Sequence, residues 1–270
     1  GGRIVSNEDL VNCPNWLPMT FRIGDGDWFD PNQVEFLNIH RRLDFRTGVL
    51  QRSMVVRDAA GQETRLTSQR FASMDDPHLA AMQYSITPLN YDDTITVQSE
   101  LDGDIINAGV ARYRDLSNRH LEPVQEHVQG ESSSLLVRTN QSEILIAQAA
   151  RLSISLDRKV LKPNFRGDAQ PGRATTSFEV PVQAGNQLCV DKRVSIYTSH
   201  QHHITEPLKA AQEALEGLPH FEQLLKNSAA AWDEIWQKAD VQIEGDRTAQ
   251  KLIRLHIFHT FSTCSPHNAD

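Results

Sequence analysis

Over most of residues 1–204, apolar and polar positions alternate with a period of two, and after Thr205 the period lengthens to three or four. The first pattern predicts strands with one buried face, and the second predicts amphipathic helices. Residues 94–101 show the alternation most cleanly. Ile95, Val97 and Leu101 fall on one face, while Thr94, Thr96, Gln98 and Glu100 fall on the other, which predicts one dry side and one wet side. Residues 19–23 run into Gly24-Asp25-Gly26, a hairpin turn signal, and Trp28-Phe29 resume beyond it. Leu37, Ile39, Leu43 and Phe45 take the odd positions of residues 34–45. The turn Asp58-Ala59-Ala60-Gly61 joins predicted strands at 49–57 and 63–71, and further strands are predicted at 80–87, 135–138, 144–156, 177–182 and 188–197. Residues 107–130 and 163–173 carry no such alternation and read as loops. Roughly a dozen strands with almost no helix among them predict a large antiparallel two-sheet sandwich.

The final stretch reads as three helices. In the first, Thr205 is the expected N-cap, Leu208, Ala211 and Leu215 form the stripe, and Gly217 with Pro219 ends the element. The second places Phe221, Leu224, Leu225, Ser228, Trp232, Ile235, Trp236 and Ala239 on one face, which must be covered. After a short extended piece at 241–245, Asp246 caps a third helix over 248–263. Its Leu252, Ile253, Leu255, Ile257, Phe258 and Phe261 leave hardly any polar side, so burial is expected. Ser265-Pro266-His267-Asn268-Ala269-Asp270 then follows a core-type helix, and Gly1-Gly2-Arg3 lacks an initiator Met and any leader. The chain reads as a piece of a longer polypeptide, divided into a sandwich at 1–199, a helical linker at 200–245 and the start of a further domain at 246–270.

Composition narrows the function classes. A formal charge of -8, with Arg and Lys scattered among acids, argues against nucleic acid or an anionic membrane as partner. No apolar run approaches the ~18 residues of a bilayer span. Cys13, Cys189 and Cys264 are odd in number, distant and without C-x-x-C spacing, which reads as reduced thiols in the cytoplasm. The sequon Asn140-Gln141-Ser142 would matter only in a secreted chain.

The candidate chemistry is sparse. Asp25, Asp27 and Asp30 lack calcium-loop spacing and read as turn residues. His200-Gln201-His202-His203 has no carboxylate or Cys to complete a zinc shell, so it reads as the handover from strand to helix. Trp16, between Pro14 and Pro18, reads as a tryptophan buried between strands, with a sugar-stacking platform as the alternative. Asn107, Arg112, Arg114, Arg119 and His120 lie on the irregular segment and read equally as contacts to a ligand or a neighbouring domain and as a solvated loop with surface salt bridges. Trp232 and Trp236 are the corresponding candidates on the helices. No pair of carboxylates can be singled out as a glycosidase acid and base, because their separation is a distance in the fold. Neither G-x-S-x-G, a P-loop, H-E-x-x-H nor G-x-G-x-x-G before a helix occurs.

Several segments together resemble the glycoside hydrolase family 65 disaccharide phosphorylases, which act on trehalose, maltose, kojibiose and related α-glucosides. They are Leu10-Val11-Asn12-Cys13-Pro14-Asn15-Trp16-Leu17-Pro18 with Phe21-Arg22-Ile23, Arg42-Leu43-Asp44, Gly48-Val49-Leu50 and Ser73-Met74-Asp75-Asp76-Pro77-His78-Leu79-Ala80-Ala81. Thr87-Pro88-Leu89-Asn90 and Leu101-Asp102-Gly103 leading to Asn107-Ala108-Gly109-Val110 continue the match. Ala231-Trp232, Trp236, Asp240-Val241-Gln242-Ile243-Glu244-Gly245-Asp246, Gln250 and Phe258-His259 complete it.

The resemblance implies a galactose mutarotase-like super-sandwich, linker helices and the first helix of an (α/α)6 barrel that would hold the active site. It implies inverting phosphorolysis, in which a glutamic acid protonates the leaving oxygen and inorganic phosphate, the co-substrate, attacks directly. A homodimer and a disaccharide substrate are implied too, with trehalose favoured over maltose and kojibiose, and no metal or organic cofactor. The chain departs from the pattern in lacking a Gly-Asn-Gly-Tyr type opening and the segment with the family's Phe-Trp-Asp motif, so no catalytic residue is carried over and the chain alone is expected to be inactive. The competing readings are a carbohydrate-binding module with Trp16 and Trp28 exposed on one face, part of a related hydrolase such as a trehalase, and an epimerase with a His and a carboxylate converging in a sheet concavity.

Overall fold

The computed structural model describes residues 11–108, 118–201 and 204–264. Among them are thirteen strands, in chain order β1 (Met19–Ile23), β2 (Glu35–Asp44), β3 (Val49–Arg57), β4 (Glu63–Ala72), β5 (Leu79–Pro88), β6 (Asp93–Asp102), β7 (Leu121–Gln129), β8 (Ser132–Thr139), β9 (Leu145–Leu156), β10 (Lys159–Leu161), β11 (Arg166–Gln170), β12 (Arg173–Val182) and β13 (Leu188–Thr198). Three helices follow, α1 (Pro207–Glu216), α2 (Phe221–Ala239) and α3 (Arg247–Thr263). The strands form a four-stranded sheet in the order β1-β6-β12-β11 and a nine-stranded sheet in the order β2-β3-β4-β5-β13-β9-β8-β7, with β10 on β9. All pairings are antiparallel. The expected two-sheet sandwich is present.

The inner faces meet in two apolar clusters. One gathers Phe21, Met54, Leu66, Ile86, Val97, Phe178 and Val190, and the other Leu101, Leu135, Val137, Ala174 and Val194. Between them lies a polar exception. Lys192 on β13 is fully buried, and its Nζ donates to the carbonyl of Glu100 at 2.8 Å and toward that of Pro18 at 3.5 Å. Burial lowers its pKa to about 7, against the opposing pull of Glu100. Gln148 on β9 is also buried and donates to the Pro14 carbonyl at 2.6 Å. Two side chains of the large sheet thus hold residues 14–18 across the sandwich by their backbone.

The outer face of the large sheet is covered over part of its area by helices. Leu136, Ala147 and Ala149 pack under Ala211 and Leu215 of α1, and Val49, Phe71 and Ala81 pack under Phe221 and Leu224 at the start of α2. Central strands covered on both faces are buried almost continuously, as β5 is from Ala80 to Pro88 apart from Gln83.

Several expectations need correction. Residues 121–129 are a strand, β7, because Pro123 and the register shift beside it suit an edge position and mask the alternation. Residues 166–170 are likewise a strand, β11, at the edge of the small sheet and exposed on both faces, so no apolar alternation marks them. Thr96, expected on the wet side of β6, is buried. The N-cap of α1 is Glu206, not Thr205, with Pro207 at the first helical position. Asp246 does cap α3, accepting from the backbone N–H of Thr248 and Ala249. No residue of α3 is buried, although its composition predicts a buried helix. Among the described residues no helix is long and apolar enough to cross a membrane.

Candidate functional site at the hairpin and helix junction

The largest convergence of candidate residues lies where the β2–β3 hairpin meets α2 and α3. Helical spacing of four puts Trp232 and Trp236 on one side of α2, and both are buried, at 2% and 6% exposure. Their ring centroids lie 6.4 Å apart, Phe258 of α3 stacks on Trp232 at 5.1 Å, and Phe45 of the hairpin meets Phe258 at 5.7 Å. Phe45 and the inner side of α3 thus cover the tryptophan face of α2, as its apolar pattern requires. Met74 completes the cluster, and its backbone N–H donates to the buried Ser228 Oγ at 3.1 Å.

The hairpin is fitted to this cluster atom by atom. Trp236 Nε1 donates to the Phe45 carbonyl at 2.9 Å. Gly48 has φ +67, and a Cβ there would lie 2.4 Å from Trp232 Nε1. Only glycine satisfies both the left-handed backbone and the close approach of the indole. The Trp232 N–H itself is buried with no acceptor among the described residues.

On the solvent side of the cluster a cleft of about 940 Å³ runs between the hairpin and the two helices, lined by Arg42, Asp44, Arg46, Asp240, Lys251 and Arg254 among others. Its charges are largely answered. Arg42 meets Asp44 at 3.2 Å, Arg46 meets Asp233 at 3.4 Å, and Arg254 makes two bonds of 2.7 Å to Asp240. The Arg254 hydrogen bonds hold the Asp240 carboxyl below its ordinary range. Gln250 of α3 reaches back to the connector, donating to the Val241 carbonyl and accepting from Ile243 N–H. Such a balanced, hydrogen-bonded cleft matches a protein surface of mixed charge better than a free anion. Among the described residues no three His, Cys, Asp or Glu side chains are grouped to hold a metal ion.

The remaining sequence candidates do not join this junction. Trp16 is half-buried against the second sandwich cluster, beside the Asn15–Asp102 bridge. Trp28 is 40% exposed at the other end of the sandwich, with the Arg22 guanidinium 5.3 Å from its ring centroid. The two tryptophans therefore do not share a binding face, which removes the arrangement a tryptophan-based sugar module needs. Asn107 is buried and accepts from Asn12 N–H at 3.1 Å, so it braces the chain instead of reaching outward. Arg119 pairs with Asp104, and the His120 carbonyl accepts from Asn140 N–H at 3.0 Å, both at the entrance to β7. Arg112, Arg114, His202 and His203 lie outside the described residues. Sequence reasoning missed Phe45, Gly48 and Met74 as partners of the tryptophans. Ser228, a polar residue on the apolar face of α2, was the available signal.

Comparison with known proteins adds a family. The profile described as "Glycosyl hydrolase family 65, N-terminal domain" matches residues 1–235. An uncharacterized glycosyl hydrolase of Mycobacterium tuberculosis is 36% identical over 269 residues, covering 100% of this chain and 20% of the relative. Kojibiose phosphorylase of Caldanaerobacter subterraneus subsp. tengcongensis is 30% identical over 94% of this chain and 34% of its own length. For alpha,alpha-trehalose phosphorylase of Thermoanaerobacter brockii the identity is 26%, over 87% and 31%. The chain thus spans between a fifth and about a third of these relatives. A solved structure from the human microbiome, described as a proposed kojibiose phosphorylase, superposes with a TM-score of 0.77 at 22% identity, over 93% of this chain and 31% of that one. At that identity the likeness concerns the fold.

Proposed function

The chain belongs to glycosyl hydrolase family 65 through its N-terminal domain, and from that premise we propose that it is the non-catalytic sandwich portion of an inverting phosphorylase of α-glucoside disaccharides. The observation that carries this reading is one of coverage. Relatives named as kojibiose and trehalose phosphorylases align with 94% and 87% of this chain, yet it accounts for only 34% and 31% of them. In this reading the sandwich spans 1–199, the linker 200–245, and the segment from 246 opens the (α/α)6 barrel that carries the glutamic general acid and the inorganic phosphate site. The junction then has a mechanical task. The Trp232–Trp236–Phe258 stack, Trp236 on the Phe45 carbonyl, and Arg254 on Asp240 fix the angle at which α3 leaves the sandwich.

The relatives' names include both kojibiose and trehalose, so the substrate class proposed is the α-glucoside disaccharide, with trehalose, kojibiose and maltose as the linkages to be tried. A homodimer and a cytoplasmic setting belong to the same proposal. The test is phosphorolysis. The 270-residue chain is incubated with each disaccharide and inorganic phosphate, in parallel with the chain extended through the barrel. Glucose 1-phosphate from the extended protein alone is the expected result. Its release by the 270-residue chain would overturn the non-catalytic reading, and hydrolysis without phosphate incorporation by the extended protein would place it with the family's hydrolases.

A further inference from the structure

The outer face of the nine-stranded sheet is apolar where α1 and α2 cover it, but between β2 and β9 it changes character. Strand register places Arg42, Gln51, Gln69, Gln83, Asp191 and Ser153 side by side across six strands. Two residues further along each strand, the same register places His40, Ser53, Thr67, Ser85, Cys189 and Ser155 in a second row. Neither row holds an aliphatic, Phe, Tyr or Trp side chain. At ~4.8 Å per strand, each row runs roughly 24 Å perpendicular to the strands.

The rows form a trough with a built floor. A cavity of about 440 Å³ opens over its β2–β5 half, and a second of about 720 Å³ shares Gln51 and Gln69 with it and continues along α2, walled by His220, Gln223 and Lys226. Both volumes fall in the range of roughly 300–1,000 Å³ usual for small-molecule clefts. The amides on the floor are fixed in orientation, because Gln69 Nε2 donates to Gln83 Oε1 at 2.9 Å and Gln83 Nε2 donates to Asp191 Oδ1 at 2.9 Å. Side chains that hold one another lose little freedom when a ligand arrives.

We propose that this trough is a binding site for a short neutral oligosaccharide, recognised through its hydroxyl groups by the two rows. The chemistry selects this ligand class. Side-chain amides and hydroxyls supply donors and acceptors in alternation, which suits a polyol able to do both. Arg42 stands at the β2 end and Arg52 of β3 also lines the cavity there, while the carboxylate of Asp191 stands toward β9, so positive charge is confined to one end and the floor offers no continuous positive track to a polyanion. With no Phe, Tyr or Trp in either row and a single imidazole at the β2 end, there is no run of ring faces for successive nucleobases to stack on. An apolar peptide or lipid finds no apolar surface in the two rows, the apolar side chains Val49, Leu225 and Ala229 lying only in the cavity along α2, and a β-strand partner adds to a sheet edge, not to its face. The ligand class rests on the reading of the parent as a sugar enzyme, while the location of the site rests on the trough alone.

The test is ligand-observed NMR on the 270-residue chain with maltotriose, kojibiose and trehalose, using a short polyethylene glycol and inorganic phosphate as controls. Saturation on the order of 1 mM or below is expected for at least one sugar and for neither control. The double variant Gln69→Leu/Gln83→Leu keeps side-chain volume and is expected to weaken binding at least tenfold. Ser53→Tyr, which fills the trough from the second row, should do the same, and Trp28→Ala, remote from it, should not change binding. Each variant is first shown to melt cooperatively, and if the double variant does not, Ser53→Tyr carries the test. Binding that survives these variants, binding lost only in Trp28→Ala, or no saturation by any sugar would overturn the proposal. Self-association of the chain that is abolished by Ser53→Tyr would overturn it as well, by making the trough a protein interface. Sugar binding with no glucose 1-phosphate leaves the non-catalytic reading intact, and phosphorolysis without trough binding separates the two in the opposite direction.

Discussion

Helices α2 and α3 look alike as sequences and differ in what the fold does with them. Over nineteen residues α2 buries Phe221, Leu224, Ser228, Trp232 and Trp236, while α3 buries none of its seventeen and leaves Leu252 51% exposed. The apolar pattern of a helix states how much it has to offer a neighbour. Whether a neighbour takes it up depends on the rest of the structure. Sheet, loop and hairpin all converge on α2 through Phe71, Met74 and Phe45. Among the described residues, α3 is met by the hairpin, by α2 and by the connector between the two helices, through Phe45, Trp232 and the Gln250 bonds to Val241 and Ile243.

The largest expected effect tests this contrast directly. Trp232→Ala should cost about 3–5 kcal/mol in chemical denaturation, whereas Leu252→Ser should stay within about 0.5 kcal/mol. Equal losses would mean that α3 is as integral as α2. A second experiment separates the sandwich from the helices by pH. Because burial holds the pKa of Lys192 near 7 instead of 10.5, the unfolded chain binds more protons between these values. Stability should therefore rise as pH climbs from about 7 toward 10.5, by up to a few kcal/mol. Lys192→Met should remove that rise and leave α3 unaffected.

Gly48→Ala comes next, at about 1–3 kcal/mol, because it combines a left-handed backbone with a collision against Trp232. If the loss disappears in a Trp232→Ala background, the collision is its cause. Asp246→Ala should fray the first turn of α3 by about 1 kcal/mol locally, visible in amide exchange, with the global melt unmoved. The smallest effect is acid-dependent. The Asp240–Arg254 pair contributes fully above the ordinary aspartate pKa of 3.8 and loses its contribution as pH falls through the lower folded-state value. The exit of α3 should loosen in that window before the sandwich responds, as followed by Trp236 fluorescence.

The fold was legible wherever burial is one-sided. The hairpin of β3 and β4, the alternation of β6 and the Asp246 cap all stand in the sequence because one local signal decides each of them. Strands β7 and β11 were not legible, since β7, whose Leu121 and Val128 do pack on the core, has its alternation broken by the register shift after Pro123, and β11 is an edge strand exposed throughout that carries no apolar period. The junction was half legible. The spacing of Trp232 and Trp236 gives a shared face, but Gly48 and Phe45 are more than 180 residues away in sequence and only the fold brings them together. The polar rows left a trace as i, i+2 pairs, Gln51 with Ser53, Thr67 with Gln69, and Gln83 with Ser85, that read one strand at a time as ordinary solvated positions.

Strand β13, near the end of the sandwich sequence, is hydrogen-bonded between β5 and β9 in the middle of the large sheet. During synthesis, therefore, the halves built on β2–β5 and β7–β9 cannot join until Leu188–Thr198 has emerged from the ribosome, and until then each presents an open, largely apolar strand edge. Slow, late-closing assembly follows from such long-range pairing, and the interval before closure is when a nascent chain of this topology has the greatest need of a chaperone.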